Sequence, residues 1–204
     1  MTITGETPMA LTLDPTRCAV LAMDFQNDIL ETTPNYREKH LLETVSRALD
    51  AARRSGATVI HITVSFRDDY ADAPPHVPLF QEEKAKGVMK AGSPGAEICA
   101  ELTPQAGDLV VTKHGVDPFN GTPLGNLLRA KGVETLVLMG VWTNFVVESA
   151  ARTGADSSYR IVVVTDGCAS DTEAHPRFFI DTILPKIGLA ATADDVIKAF
   201  GSAQ

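Results

Sequence analysis

A chain of 204 residues, 44% hydrophobic and 22% charged, has the composition of a globular domain with a sizeable core. Its formal charge of −8 argues against nucleic acid or an anionic membrane surface as partner, and no apolar run is long enough to span a bilayer. Three widely spaced cysteines make neither a disulfide framework nor a zinc site. Met1 to Ala10 lacks the basic and apolar regions of a secretory signal, and residues 1–12 read as a loose leader to a single domain over 13–204, with the cytoplasm as the expected compartment.

Cys18 to Asp24 (CAVLAMD) is an apolar run that reads as a first buried parallel strand ending in an acid. Taken alone, Asp24 reads as a helix cap. Lys39 to Ser55 places Leu41, Leu42, Val45, Leu49 and Ala52 at helical spacing, and Gly56 ends the helix. Ala57 to Val64 is the second strand, with His61 inside it as a satisfied core or edge histidine rather than a ligand. Ser65 to Gly92 has no sustained period and contains Pro74, Pro75 and Pro78. Long excursions of this kind often cover a site, which makes Arg67, Tyr70, His76 and Phe80 candidates to face a ligand, although each alone reads as solvated loop. Ser93 to Leu102 reads as a short helix.

Asp108 to Thr112 is the third strand and delivers Lys113 and His114. A helix over Thr122 to Lys131 leads to the fourth strand, Leu136 to Met139, which Gly140 ends. A helix beginning near Asn144 follows, with small residues at Ser149, Ala150 and Ala151 for close packing. A buried strand running into a helix presents backbone N–H groups where negative charge is favoured. Arg160 to Asp166 is the fifth strand; Cys168 beyond it reads as a small buried hydrophobe. A helix over Thr172 to Leu184, a short strand at Leu189 to Thr192 and a helix over Ala193 to Phe200 close the chain. The alternation predicts an α/β fold with a doubly wound, mostly parallel sheet and helices on both faces. No Gly-x-Gly-x-x-Gly follows a strand, so no dinucleotide is implied.

Three segments then act together. Gly140, Val141, Thr143, Asn144, Val147, Ala151 and Arg152 match the pattern Gly-Val-x-Thr-Asn-x-Cys-Val-x-x-Thr-Ala-Arg. Asp24, Gln26 and Asp28 match an Asp-x-Gln-x-Asp segment at the end of a first strand, and Lys113 and Phe119 match Lys-x-x-x-Ser-Ala-Phe, with Asp117 and Pro118 in place of Ser-Ala. On these residues the chain resembles the isochorismatase-like hydrolases, also called the cysteine hydrolase superfamily, over about residues 14 to 200. The resemblance implies six strands in Rossmann-like order. It also implies that Asp24 and Lys113 are catalytic, and that the backbone N–H groups of Trp142 and Val146 form an oxyanion hole after a cis Val141–Trp142 bond. The chain departs from the family's amidases at the nucleophile, where their cysteine is Val146. Valine cannot form a thioester.

Three readings follow from that departure. In the first, Asp24 acts as acid or base in direct hydrolysis, as the resemblance to true isochorismatases implies: these carry Gly at the cysteine position, have an aromatic residue where Trp142 stands, and protonate a vinyl ether. In the second, the chain is an amidohydrolase scaffold of ureide or carbamoyl-amide type that has lost its nucleophile. In the third, it is a non-catalytic small-molecule binder. The first is adopted: a hydrolase without covalent cysteine catalysis acting on a small polar substrate, anions included. Phe25, Gln26, Arg67, His114, Phe119, Trp142 and Thr143 are the expected substrate contacts. No cofactor is expected, and the nicotinamidase-type Asp-x-His metal pattern is missing from 68–76, so no metal is expected. The resemblance further implies a homodimer or homotetramer.

Overall fold

The computed structural model describes residues 11–34, 36–172 and 174–202. Most of the expected leader, residues 1–10, lies outside the described residues. Six strands form one sheet: β1 (Cys18–Met23), β2 (Thr58–Val64), β3 (Leu109–Lys113), β4 (Thr135–Val141), β5 (Arg160–Ala169) and β6 (Leu189–Ala191). Their order is β3-β2-β1-β4-β5-β6, and every pairing is parallel rather than mostly so. Burial on both faces explains why the central strands are continuous apolar runs without alternation: every residue of β1 is buried.

Among the described residues eight α-helices flank the strands: α1 (Asn27–Glu31), α2 (Leu41–Ser55), α3 (Pro78–Lys86), α4 (Leu124–Ala130), α5 (Glu148–Asp156), α6 (His175–Phe178), α7 (Leu184–Ile187) and α8 (Ala193–Gly201). They cover both faces. One core packs α2 and α8 against the sheet through Val45, Leu49, Val196 and Phe200; the opposite core contains Leu124, Leu128, Ala150 and Phe179. Gly56 ends α2 with φ +84°, a left-handed conformation that costs a residue without Cβ little. Among the described residues no helix is long and apolar enough to cross a membrane.

The segment 65–92, which shows no period in the sequence, contains α3, and Pro78 sits at its first turn, where the missing N–H costs nothing. The excursion is tied down by a third small core of Val64, Phe66, Tyr70, Ala73, Phe80 and Met89. Phe66 N–H donates to Met89 O at 2.9 Å, and Tyr70 Oη donates to Val88 O at 2.6 Å. The helix expected over 93–102 is instead two separate 3₁₀ turns, Pro94–Ala96 and Ala100–Leu102, because Glu97–Cys99 is drawn into extended pairing with residues 25–27. The helix expected over 172–184 is a continuous helical stretch of α6, a wider π turn at Phe179–Ile183, and α7.

Candidate active site

Order reversal in a parallel sheet leaves a crevice at the carboxyl ends of the two strands where the chain changes direction. Here those strands are β1 and β4. Asp24 follows β1 with φ +61°, an uncommon conformation for a residue with a side chain, while its N–H still donates to Ile62 O at 2.9 Å. Trp142 follows β4 across a cis Val141–Trp142 peptide bond. Thr143–Val147 then forms a π turn before α5, and this wide turn places Val146 at the crevice. Lys113 arrives from the end of β3.

These residues meet. Lys113 Nζ lies 2.9 Å from Asp24 Oδ2 and donates to Gly115 O, also at 2.9 Å. Asp24 and Lys113 are 5% and 2% exposed, so the pair is held out of water. Among the described residues, Asp24 Oδ1 is the one buried side-chain polar atom without a hydrogen-bond partner. Burial pushes the Asp24 carboxyl above its ordinary value, against the opposing pull of Lys113. A partly unsatisfied carboxyl of raised pKa in a crevice has the properties of a proton-transfer group.

Asp24, Lys113 and Val146 form the inner end of a cavity of about 160 Å³. The segment Val141, Trp142 and Phe145 makes one wall, with the Trp142 and Phe145 rings 5.6 Å apart. Asp28, Ile29, Glu31 and Thr32, in and just after α1, make another. Helix α3 covers the space with Leu79, Phe80, Glu83 and Lys86, residues spaced to share one helical face. Val64, Phe66, Val88, Met89 and Val116 complete a lining that is mainly apolar. Burial also raises the Glu83 carboxyl, and Asp28 and Glu82 add to the shift while Lys86 opposes it.

Several expected substrate contacts lie elsewhere. Phe25 is buried in the core beneath α2. Gln26 is fully buried as a clamp: its amide N–H groups donate to Val64 O and Ala96 O at 2.9 and 2.6 Å, and its carbonyl accepts from Val64 N at 2.8 Å. No Gln26 donor is left for a ligand. Thr143 is committed to Ala169 O and, through its N–H, to Ser170 Oγ. Arg67 lies on the surface 3.8 Å from Asp69, and His114 Nδ1 lies 2.6 Å from Ser65 O, outside the cavity lining. Phe119 packs on Tyr159 at 6.3 Å, away from the crevice. Of the residues proposed from the 65–92 excursion, Phe80 lines the cavity, whereas Arg67, Tyr70 and His76 do not. Apart from Phe80, the α1 and α3 contributions were missed. The 79/80/83/86 spacing was the available signal, masked by three nearby prolines.

None of the three cysteines lines the cavity. Burial pushes the thiols of Cys18, Cys99 and Cys168 up to about 12, about 11 and about 12. Among the described residues no three of His, Cys, Asp or Glu converge as a metal site would require.

The model of the isochorismatase domain matches residues 18–195. The chain belongs to the isochorismatase family. An isochorismatase family protein from Burkholderia thailandensis is 32% identical over 93% of this chain and 98% of its own, with a TM-score of 0.81. N-carbamoylsarcosine amidase from Thermoplasma acidophilum is 27% identical over 87% of this chain and 97% of its own, with a TM-score of 0.71. A cysteine hydrolase from Pseudomonas syringae pv. phaseolicola is 24% identical, covers 98% and 100% of the two chains, and shares the fold at a TM-score of 0.86. The six-stranded sheet with the Asp24 crevice is thus an isochorismatase-family hydrolase fold.

Proposed function

We propose that this isochorismatase-family protein hydrolyses a small molecule by acid–base chemistry at Asp24, with no covalent enzyme intermediate. The observation that carries the reading is the buried Asp24–Lys113 pair, with Asp24 Oδ1 unpartnered at the inner end of a cavity that no thiol lines. In its protonated form Asp24 donates a proton to a vinyl ether or to a leaving group. In its ionised form it takes a proton from attacking water. Lys113 keeps one carboxylate oxygen oriented and compensates charge as the proton leaves. The N–H groups of Trp142 and Val146 are assigned to the developing oxyanion, a role that needs backbone only and is indifferent to the valine side chain. The neighbouring Thr143 and Phe145 N–H groups are already bonded to Ser170 Oγ and Trp142 O.

A second reading, an amide or ureide site that has lost its nucleophile, draws support from the likeness to N-carbamoylsarcosine amidase. The two separate on a turnover screen of enol ethers against amides and ureides. The acid–base reading expects turnover by the wild type and a loss of about a hundredfold or more in Asp24→Asn, the usual scale for a general acid or base. Saturable binding with no turnover across the panel overturns it.

A further inference from the structure

The cavity over Asp24 also carries information about what fills it. A volume of about 160 Å³ is close to that of engineered apolar cavities that accept benzene. The charges along its walls are unequal. Lys113 is occupied by Asp24 and Gly115, and Lys86 is exposed at the end of α3. On the acidic side, Asp28 Oδ2 accepts the Met89 N–H at 2.8 Å, and a Cβ at Gly95 would stand 2.0 Å from Oδ1, so this carboxylate is held tightly in place. Glu83 is half-buried on the cavity face of α3, and among the described residues its carboxylate has neither a hydrogen bond nor an ion pair within 4 Å. Asp24, whose Oδ1 is the unpartnered buried atom, lines the same space. Apart from the Trp142 and Val146 backbone N–H groups beside Asp24, the side chains that face a ligand therefore offer acceptors more than donors.

We propose that the substrate is an apolar molecule bearing an ammonium group, its hydrocarbon body seated between Phe80, Trp142 and Val146 and its ammonium received by Glu83 with Asp28 beside it. Glu83 is then a specificity-determining residue. Its carboxylate is partly desolvated and stands near Asp28 and Glu82, a setting that Lys86 offsets only in part and that a bound cation relieves further. This inference rests on the hydrolase reading for its chemistry, but not for its binding, and it replaces the expectation of a polar, anion-tolerant substrate.

The test is calorimetric titration with benzylamine, benzyl alcohol and phenylacetate at about pH 8, where carboxylates are ionised and the amine is largely protonated. Benzylamine should bind about tenfold or more tighter than the other two, and Glu83→Gln should remove that preference while leaving benzyl alcohol unchanged, the difference expected of one charge-assisted hydrogen bond. A Phe80→Trp variant, which narrows the cavity, should weaken all three. Absence of benzylamine binding at millimolar concentration overturns the inference. So does tighter phenylacetate, or an amine preference that survives in Glu83→Gln. The outcomes separate from those of the hydrolase reading. An amine preference with no Asp24-dependent turnover ends the hydrolase assignment alone, whereas Asp24-dependent turnover of anionic substrates ends the ammonium assignment alone.

Discussion

At the scale of single residues, the character of the site turns on Val146. A thiolate is activated by charge and dipoles in its immediate surroundings, and valine has neither lone pair nor proton to offer. The three cysteines do not substitute: they lie outside the cavity, and burial holds their thiols at about 11 or 12. Any activity of the wild type should therefore survive iodoacetamide at neutral pH, with no acyl-enzyme seen by mass spectrometry. The converse experiment is Val146→Cys. Position 146 is 1% exposed, and cysteine is only slightly smaller than valine, so the fold should accept it at a cost of about 1 kcal/mol. Placed beside the Asp24–Lys113 pair, the new thiol should alkylate faster than Cys18, Cys99 or Cys168, and amide or ureide cleavage would mark a retained amidase framework. A wild-type activity that disappears on alkylating one native cysteine, and is likewise lost when that cysteine is replaced by serine, would refute the thiol-independent mechanism. The Asp24 and Lys113 positions were legible because each ends an apolar run with a charge, an arrangement that places it at a sheet edge. The Phe25, Gln26 and Thr143 positions misled because adjacency in sequence says nothing of which way a side chain turns once the strand has ended.

At the scale of elements, the close approach of β4 to β1 and to the π turn sets the crevice. Gly140 lies where a Cβ would stand 2.9 Å from Val147 Cγ2 and 3.0 Å from Met23 O, distances that neither backbone nor packed side chain can yield cheaply. Gly140→Ala should cost about 1–3 kcal/mol, the range for overpacking, and displace the Trp142 segment. A denaturant midpoint equal to that of the wild type would show that the strands relax freely. On β2, His61 is 1% exposed with Nε2 3.2 Å from Asp108 Oδ2, as a satisfied core histidine should be. Burial lowers its pKa below the ordinary 6.5, with Arg53 assisting and Asp108 opposing. The unfolded chain therefore takes up a proton near 6.5 that the folded chain refuses. This contribution to stability is present above the unfolded value and is lost as pH falls through it toward the folded one. Melting temperatures measured from about pH 7.5 to about 5.5 should fall more steeply for the wild type than for His61→Gln. Equal slopes would remove His61 as a source. Helix α3 shows why some elements were not legible: its exposed face is charged, its buried face meets a cavity instead of a continuous core, and its tether is the separate Phe66–Tyr70–Phe80 cluster.

At the scale of the whole molecule, the fold was readable because burial on two faces writes β1, most of β4 and the 161–164 stretch of β5 as apolar runs, and parallel strands need crossover helices between them. What such runs do not state is the covering of the margins. The sheet ends at β3 and β6, where Val110 and Leu189 are 53% and 47% exposed, and Phe178 on α6 is 65% exposed. Unpaired sheet edges and exposed aromatic rings invite association, and native chains normally blunt or cover them. Trp142 and Phe119 already have partners within the chain: Trp142 Nε1 donates to Thr33 Oγ1 at 3.1 Å, and Phe119 lies on Tyr159. Phe145, 36% exposed beside the cavity, and Phe178 are better placed to meet a second subunit. A homo-oligomer remains the expectation. Light scattering at micromolar concentration should give a multiple of the chain mass, and Phe178→Asp should shift it toward one chain if α6 is in the contact. If the mass stays that of one chain at every concentration, these faces are solvent-exposed in the native protein, and the crevice must complete itself from its own α1 and α3.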